Sequence, residues 1–130
     1  MIDAKPAAER SAGGLLSLDA TLPPRITARA DFLAAARARS VRMPGFLLQA
    51  RRRDDPGPLR VGFTCSKKVG NAVARNRAKR RLREIARLEL PALGRPGWDY
   101  VLVGKRDATA SRDFAQMRAD LAAALRKVHP

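Results

Sequence analysis

Acidic residues and histidine are scarce in this chain of 130 residues, where 12 Asp and Glu stand against 27 Lys and Arg and there is one His. A nuclease that holds Mg²⁺ with its own side chains needs gathered carboxylates, and acid–base cleavage of RNA needs two suitably placed groups such as a pair of histidines. Here the acids are scattered, Asp54 and Asp55 sit among arginines, and His129 has no carboxylate near it in sequence. The chain alone is therefore expected to be catalytically inert and to bind no metal. Cys65 is the one cysteine, which excludes an intramolecular disulfide and a zinc site. Its place in an alternating apolar run predicts a buried, unreactive thiol. No phosphate loop of the GxxxxGK type occurs. Aromatics are few, with four Phe, one Tyr and one Trp, and no basic helix pairs its charge with Trp or Phe as a membrane-surface helix does. No long apolar run or secretory leader is found, so a cytoplasmic protein is expected.

What the chain has in excess is positive charge. The formal net charge is +15 and the pI about 11.6, a balance that points to a polyanionic partner, with nucleic acid favoured. The length fits one domain with a modest core. Residues 1–24 lack sustained periodicity and end in Pro23-Pro24, which reads as a flexible extension in which Leu15, Leu16, Leu18 and Leu22 are the candidate contacts. Residues 25–130 are expected to form an RNA-binding α+β domain.

The charge concentrates in residues 66–87, where nine Lys or Arg face a single acid, Glu84. Gly70-Asn71 breaks the chain and Asn71 suits an N-cap, so a helix is expected over 72–89. At about 100° per residue, Ala74, Ala78, Ile85 and Leu88 form an apolar stripe with Leu82 at its edge. Arg75, Lys79, Arg83 and Arg87 stack along another face, with Asn76 and Arg80 beside them. Arg81 falls near the apolar stripe, so its stem should lie along the core boundary while the guanidinium reaches out. Two readings of the charged face compete, a solvated surface and a nucleic-acid contact. Like charges four apart repel by a few tenths of a kcal/mol, roughly, per pair, and carboxylates to offset them are missing except Glu84, which favours the second.

Elsewhere, a helix is expected from Thr27, as cap, to about Arg39, with Asp31 in its first turn and Ile26 and Leu33 on the core. Residues 46–51 and 59–65 read as strands, the second directing Leu59, Val61, Phe63 and Cys65 inward. Between them the segment 51–58 reads as a solvated hairpin loop. A Pro/Gly-rich loop over 90–98 precedes a strand over 99–104, with Trp98 as a lid on the core. Ser111 is the expected cap of a last helix that turns Phe114, Met117, Leu121, Leu125 and Val128 inward. A further strand is expected near Arg42 or in the first hairpin. Helices on one face of such a sheet make an α+β two-layer sandwich with a small mixed sheet of about four strands.

The run from Lys67 to Arg80, KKVGNAVARNRAKR, with Arg75-Asn76-Arg77 at its centre, resembles the signature of the protein subunit of bacterial ribonuclease P. The likeness extends through LRVGFT and DYVLV, over residues 25–128. It implies a left-handed βαβ crossover, which nothing in the residues themselves indicates. It also implies that catalysis and the Mg²⁺ ions belong to an RNA subunit, while the protein binds that RNA and the 5′ leader of precursor tRNA, with no protein partner or membrane involved. Carried over, Arg75, Asn76, Arg77 and Arg80 fall on positions assigned to the catalytic RNA, and Lys79 and Arg83 on the leader side. Lys67, Lys68, Asn71 and Arg87 complete the expected RNA surface. Phe32 is either a core aromatic or, by the resemblance, the ring lining the leader cleft. Many relatives carry further aromatics where this chain has Ala36 and Gln49, so the leader cleft is expected to use Phe32, Phe46, Gln49, Lys79 and Arg83. The rival reading from another class is a ribosomal or RNA-chaperone binding module.

Overall fold

The computed structural model describes residues 22–130. The expected extension lies outside them as far as residue 21, and contact with the domain has begun by Leu22, which packs against the core. Val61 N–H donates to Pro24 O at 2.9 Å. The elements are α1 (Arg29–Arg37), β1 (Arg39–Arg42), β2 (Phe46–Arg52), β3 (Arg60–Thr64), a 3₁₀ turn (Lys67–Val69), α2 (Ala72–Leu93), β4 (Trp98–Gly104), α3 (Ala108–Ser111) and α4 (Phe114–Val128). The strands form one mixed sheet in the order β1-β2-β4-β3, antiparallel except for the β3–β4 pair. The strand expected near Arg42 is β1. Because β4 lies between β2 and β3, the segment 51–58 is not a hairpin loop.

Alternation along the strands sorts side chains onto two faces. Phe46, Leu48 and Ala50 of β2, Val61 of β3, and Tyr100 and Leu102 of β4 share a buried core with Leu82, Ile85 and Leu90 of α2 and Met117, Leu121 and Leu125 of α4. The apolar run of β4 also presents Val101 and Val103 to the other face. A central strand apolar on both sides needs covering on both. That second cover is α1, whose Ala35 joins Ile26 and Val101 in a smaller cluster beside Phe32 and Val103. One helix thus lies opposite the others, where the sequence suggested a single helical layer.

Several local expectations change. α1 is not capped by Thr27: its N-cap is Ala28, with no side-chain bond, and Leu33 is 42% exposed. α2 runs past Pro91 to Leu93: Pro91 sits in the last turn and forgoes one backbone hydrogen bond, while Leu90 beside it is fully buried. Asp113, not Ser111, caps α4 by accepting from Gln116 N–H at 3.2 Å. The Arg81 guanidinium turns inward, donating to Thr109 O at 2.7 Å and Arg112 O at 2.6 Å and lying 5.9 Å from the Phe114 ring. It satisfies carbonyls around α3 instead of facing solvent. His129 also has a partner from afar: its Nε2 is 2.7 Å from Tyr100 Oη, and its ring meets Trp98 edge-on at 4.5 Å.

Candidate nucleic-acid interface

Two local devices set the start of α2. Gly70 has φ 144°, and a Cβ there would stand 2.9 Å from Ala74 Cβ, so this bend favours glycine. Asn71 then caps the helix, its Oδ1 accepting from Ala74 N–H at 2.9 Å. Asn71 is exposed, as are Lys67 and Lys68 in the turn before it.

Along α2 the core takes Ala78, Leu82, Ile85, Ala86 and Leu90. The stripe is shifted from the expected one: Ala74 and Leu88 are only half-buried, Ala86 and Leu90 join it, Leu82 is fully buried, and its margin half-buries Arg75 and Lys79. Asn76, Arg77, Arg80 and Arg83 are exposed. Arg87 departs from the set, because its Nε donates to Glu84 at 3.1 Å. That hydrogen bond holds the Glu84 carboxyl below the usual carboxylate range against the opposing effect of burial. Among the described residues no carboxylate pairs with Lys67, Lys68, Arg75, Arg77, Lys79, Arg80 or Arg83; Asp31, Asp55, Glu84, Glu89, Asp99 and Asp120 pair with other arginines. Arg75 Nε is moreover buried, with no hydrogen-bond acceptor among the described residues. A buried donor without a partner is costly in a monomer and is relieved by an acceptor brought from outside.

Lys79 joins this row to a second feature, a cleft of about 480 Å³ lined by Thr27, Arg29, Phe32, Phe63, Thr64, Cys65 and Lys79. Two rings, two hydroxyls and two cations give stacking surface, hydrogen bonds and charge in one groove, the combination that suits single-stranded nucleic acid. Phe32 lies over Gly62 of β3, and Arg25 lies 5.3 Å from the Phe63 ring centroid. Burial pushes the Cys65 thiol up, with the Lys79 charge opposing, so the thiolate is disfavoured.

Of the residues expected at the cleft, the structure brings together Phe32 and Lys79. Phe46 is corrected: it is fully buried in the main core, on the sheet face opposite α1, because it alternates in phase with Leu48 and Ala50. Phe63 takes its place. Sequence alternation assigned Phe63 to the core, and it does pack against it, but β3 is an edge strand and the ring is only partly covered. Gln49 shares the α1 face with Gly62 but sits two strands away, both being in register with Val101. Arg83 lies further along α2, outside the cleft lining.

Placing Ala at Gly62 tests how tightly the cleft wall is held. A Cβ would stand 2.5 Å from Phe32 Cε1 and 2.8 Å from Cζ, so Gly62→Ala is expected to displace the ring and cost about 1–3 kcal/mol in urea unfolding, as overpacking does. In a Phe32→Ala background the same change should be nearly neutral.

The family model for ribonuclease P matches residues 23–129. The chain belongs to the ribonuclease P protein family. A ribonuclease P protein component of Ruegeria pomeroyi is 64% identical over 103 residues, covering 78% of this chain and 82% of that protein. One from Gluconacetobacter diazotrophicus is 52% identical over 104 residues, covering 79% and 89%. Among solved structures, the ribonuclease P protein of Thermotoga maritima superposes with TM-score 0.66 at 27% identity, covering 79% of this chain and 96% of that one. Family membership makes this chain a subunit of a ribonuclease in tRNA processing, with the ribonuclease P RNA as its partner. Among the described residues no helix is long and apolar enough to cross a membrane.

Proposed function

We propose that the chain clamps the catalytic RNA with the exposed cations of α2 while the Phe32–Phe63 cleft takes the 5′ leader of precursor tRNA, both in the cytoplasm. The observation that carries this is the row of cations without carboxylate partners, continuous through Lys79 with an aromatic groove. Arg75, Asn76, Arg77 and Arg80, with Lys67, Lys68 and Asn71 at the turn, face the catalytic RNA. Lys79 and Arg83 run between that surface and the leader.

Cleavage is assigned to the RNA subunit and its Mg²⁺ ions. The protein is a poor host for such ions: among the described residues no group of three His, Cys, Asp or Glu is placed to hold one. Arginines already engage Asp31, Asp55, Asp99 and Asp120. Its own contribution is positive charge and orientation, which lower the requirement for Mg²⁺ and draw the leader-bearing substrate in. Reconstitution tests this. Adding the protein to its RNA subunit at low Mg²⁺ should restore cleavage of precursor tRNA, and the protein alone should cleave nothing. Absence of rescue would leave only an RNA-binding module.

A further inference from the structure

One wall of the proposed leader cleft, Phe32, belongs to α1 and not to the sheet. α1 is 9 residues long, has no side-chain cap, and buries only Ala35 fully, so neither propensity nor burial fastens it strongly. An ion-pair array does. Asp31, in its first turn, accepts from Arg51 Nη1 at 3.1 Å and pairs with Arg60 Nη2 at 3.4 Å. Both arginines are held from below by Asp99, which is fully buried. Arg60 approaches it through Nε at 2.8 Å and Nη2 at 2.7 Å, and Arg51 Nη1 lies 3.7 Å away. Arg53 Nη1 closes the array at 2.6 Å. Arg60 and Gly62 are two residues apart on one face of β3, so Asp31 seats on Arg60 while the adjacent Phe32 seats on Gly62.

We propose that Asp31 is a positioning residue for the single-strand cleft: by clipping the first turn of α1 to Arg51 and Arg60 it fixes Phe32 opposite Phe63 and Lys79, and so sets the preference for substrates that carry a leader. This rests on the reading of the cleft as the leader site. A purely electrostatic role predicts the opposite sign, because Asp31 is an acid on a basic surface and its removal should tighten binding to any RNA.

The test uses the reconstituted holoenzyme and compares affinities for precursor and mature tRNA. Asp31→Asn should lower the precursor-to-mature affinity ratio about fivefold, the lower end of what stacking one base is worth, with mature tRNA binding and circular dichroism unchanged. Asp31→Glu, which keeps a carboxylate, should recover most of the ratio. Adding Asp31→Asn to Phe32→Ala should produce no further loss, since both act on one ring. An unchanged or increased ratio for Asp31→Asn overturns the proposal, as does full additivity in the double variant or an equal loss of mature tRNA binding. Should Phe32→Ala itself leave the ratio untouched, the cleft reading fails as well; a loss with Phe32→Ala but none with Asp31→Asn removes only the positioning role.

Discussion

Asp99→Ala is expected to destabilise the domain by about 3–5 kcal/mol, the range seen when one partner is removed from a buried ion pair. The register places Asp99 opposite both Arg51 and Arg60, and Arg53, itself only 8% exposed, reaches the same carboxylate at 2.6 Å. Without it three guanidinium groups crowd a site with no buried anion among them. Asp99→Asn keeps an acceptor oxygen and should cost less. The effect carries a pH signature. Burial pushes the Asp99 carboxyl up, but hydrogen bonds and charge from Arg60 and Arg53 prevail and leave it below its ordinary value. A carboxyl lowered in the folded state binds its proton more readily when unfolded, so its stabilisation is present above about pH 4, the unfolded value, and is lost as pH falls through the folded one. Urea unfolding of the wild type should therefore shift to lower midpoints in acid, and Asp99→Asn should flatten that dependence. Equal acid sensitivity in both proteins would place the titrating group elsewhere.

The second large effect is on RNA affinity. Arg75→Ala and Arg77→Ala should each weaken binding to the ribonuclease P RNA on the order of tenfold, the worth of one hydrogen bond to a charged group. Each should also reduce the slope of log affinity against log salt by about 0.9 if the lost contact is a phosphate on a duplex, and by about 0.7 on a single strand. Arg75 carries the added interest of a buried Nε donor with no acceptor among the described residues. Circular dichroism should show both variants folded, and holoenzyme turnover at low Mg²⁺ should fall with the affinity. Unfolded variants would make these arginines structural and remove them from the interface.

Local chemistry was legible in the sequence to the extent that period and capping determine it. The Asn71 cap follows from the Gly70-Asn71 break, part of the buried stripe of α2 and the cation row from 3.6-residue spacing, and the inward face of β3 from alternation. Strand neighbours do not. Asp99 reads as an ordinary acid before an apolar run, and only the pairing of β4 between β2 and β3 makes it the anchor of three arginines. The exchange of Phe46 for Phe63 has the same origin: alternation assigns a face, whereas depth depends on which strand is central and which is an edge. Arg81 was misread because helical phase gives a direction but not the carbonyls of α3 waiting there.

α2 is both the surface proposed to meet RNA and the link between two parallel strands that lie side by side at one end of the sheet. Its cations are consequently mounted on a strut of the scaffold, whose backbone is already ordered before any partner arrives. Association then forfeits little backbone freedom, and a transcript that grips this helix also braces the sheet behind it.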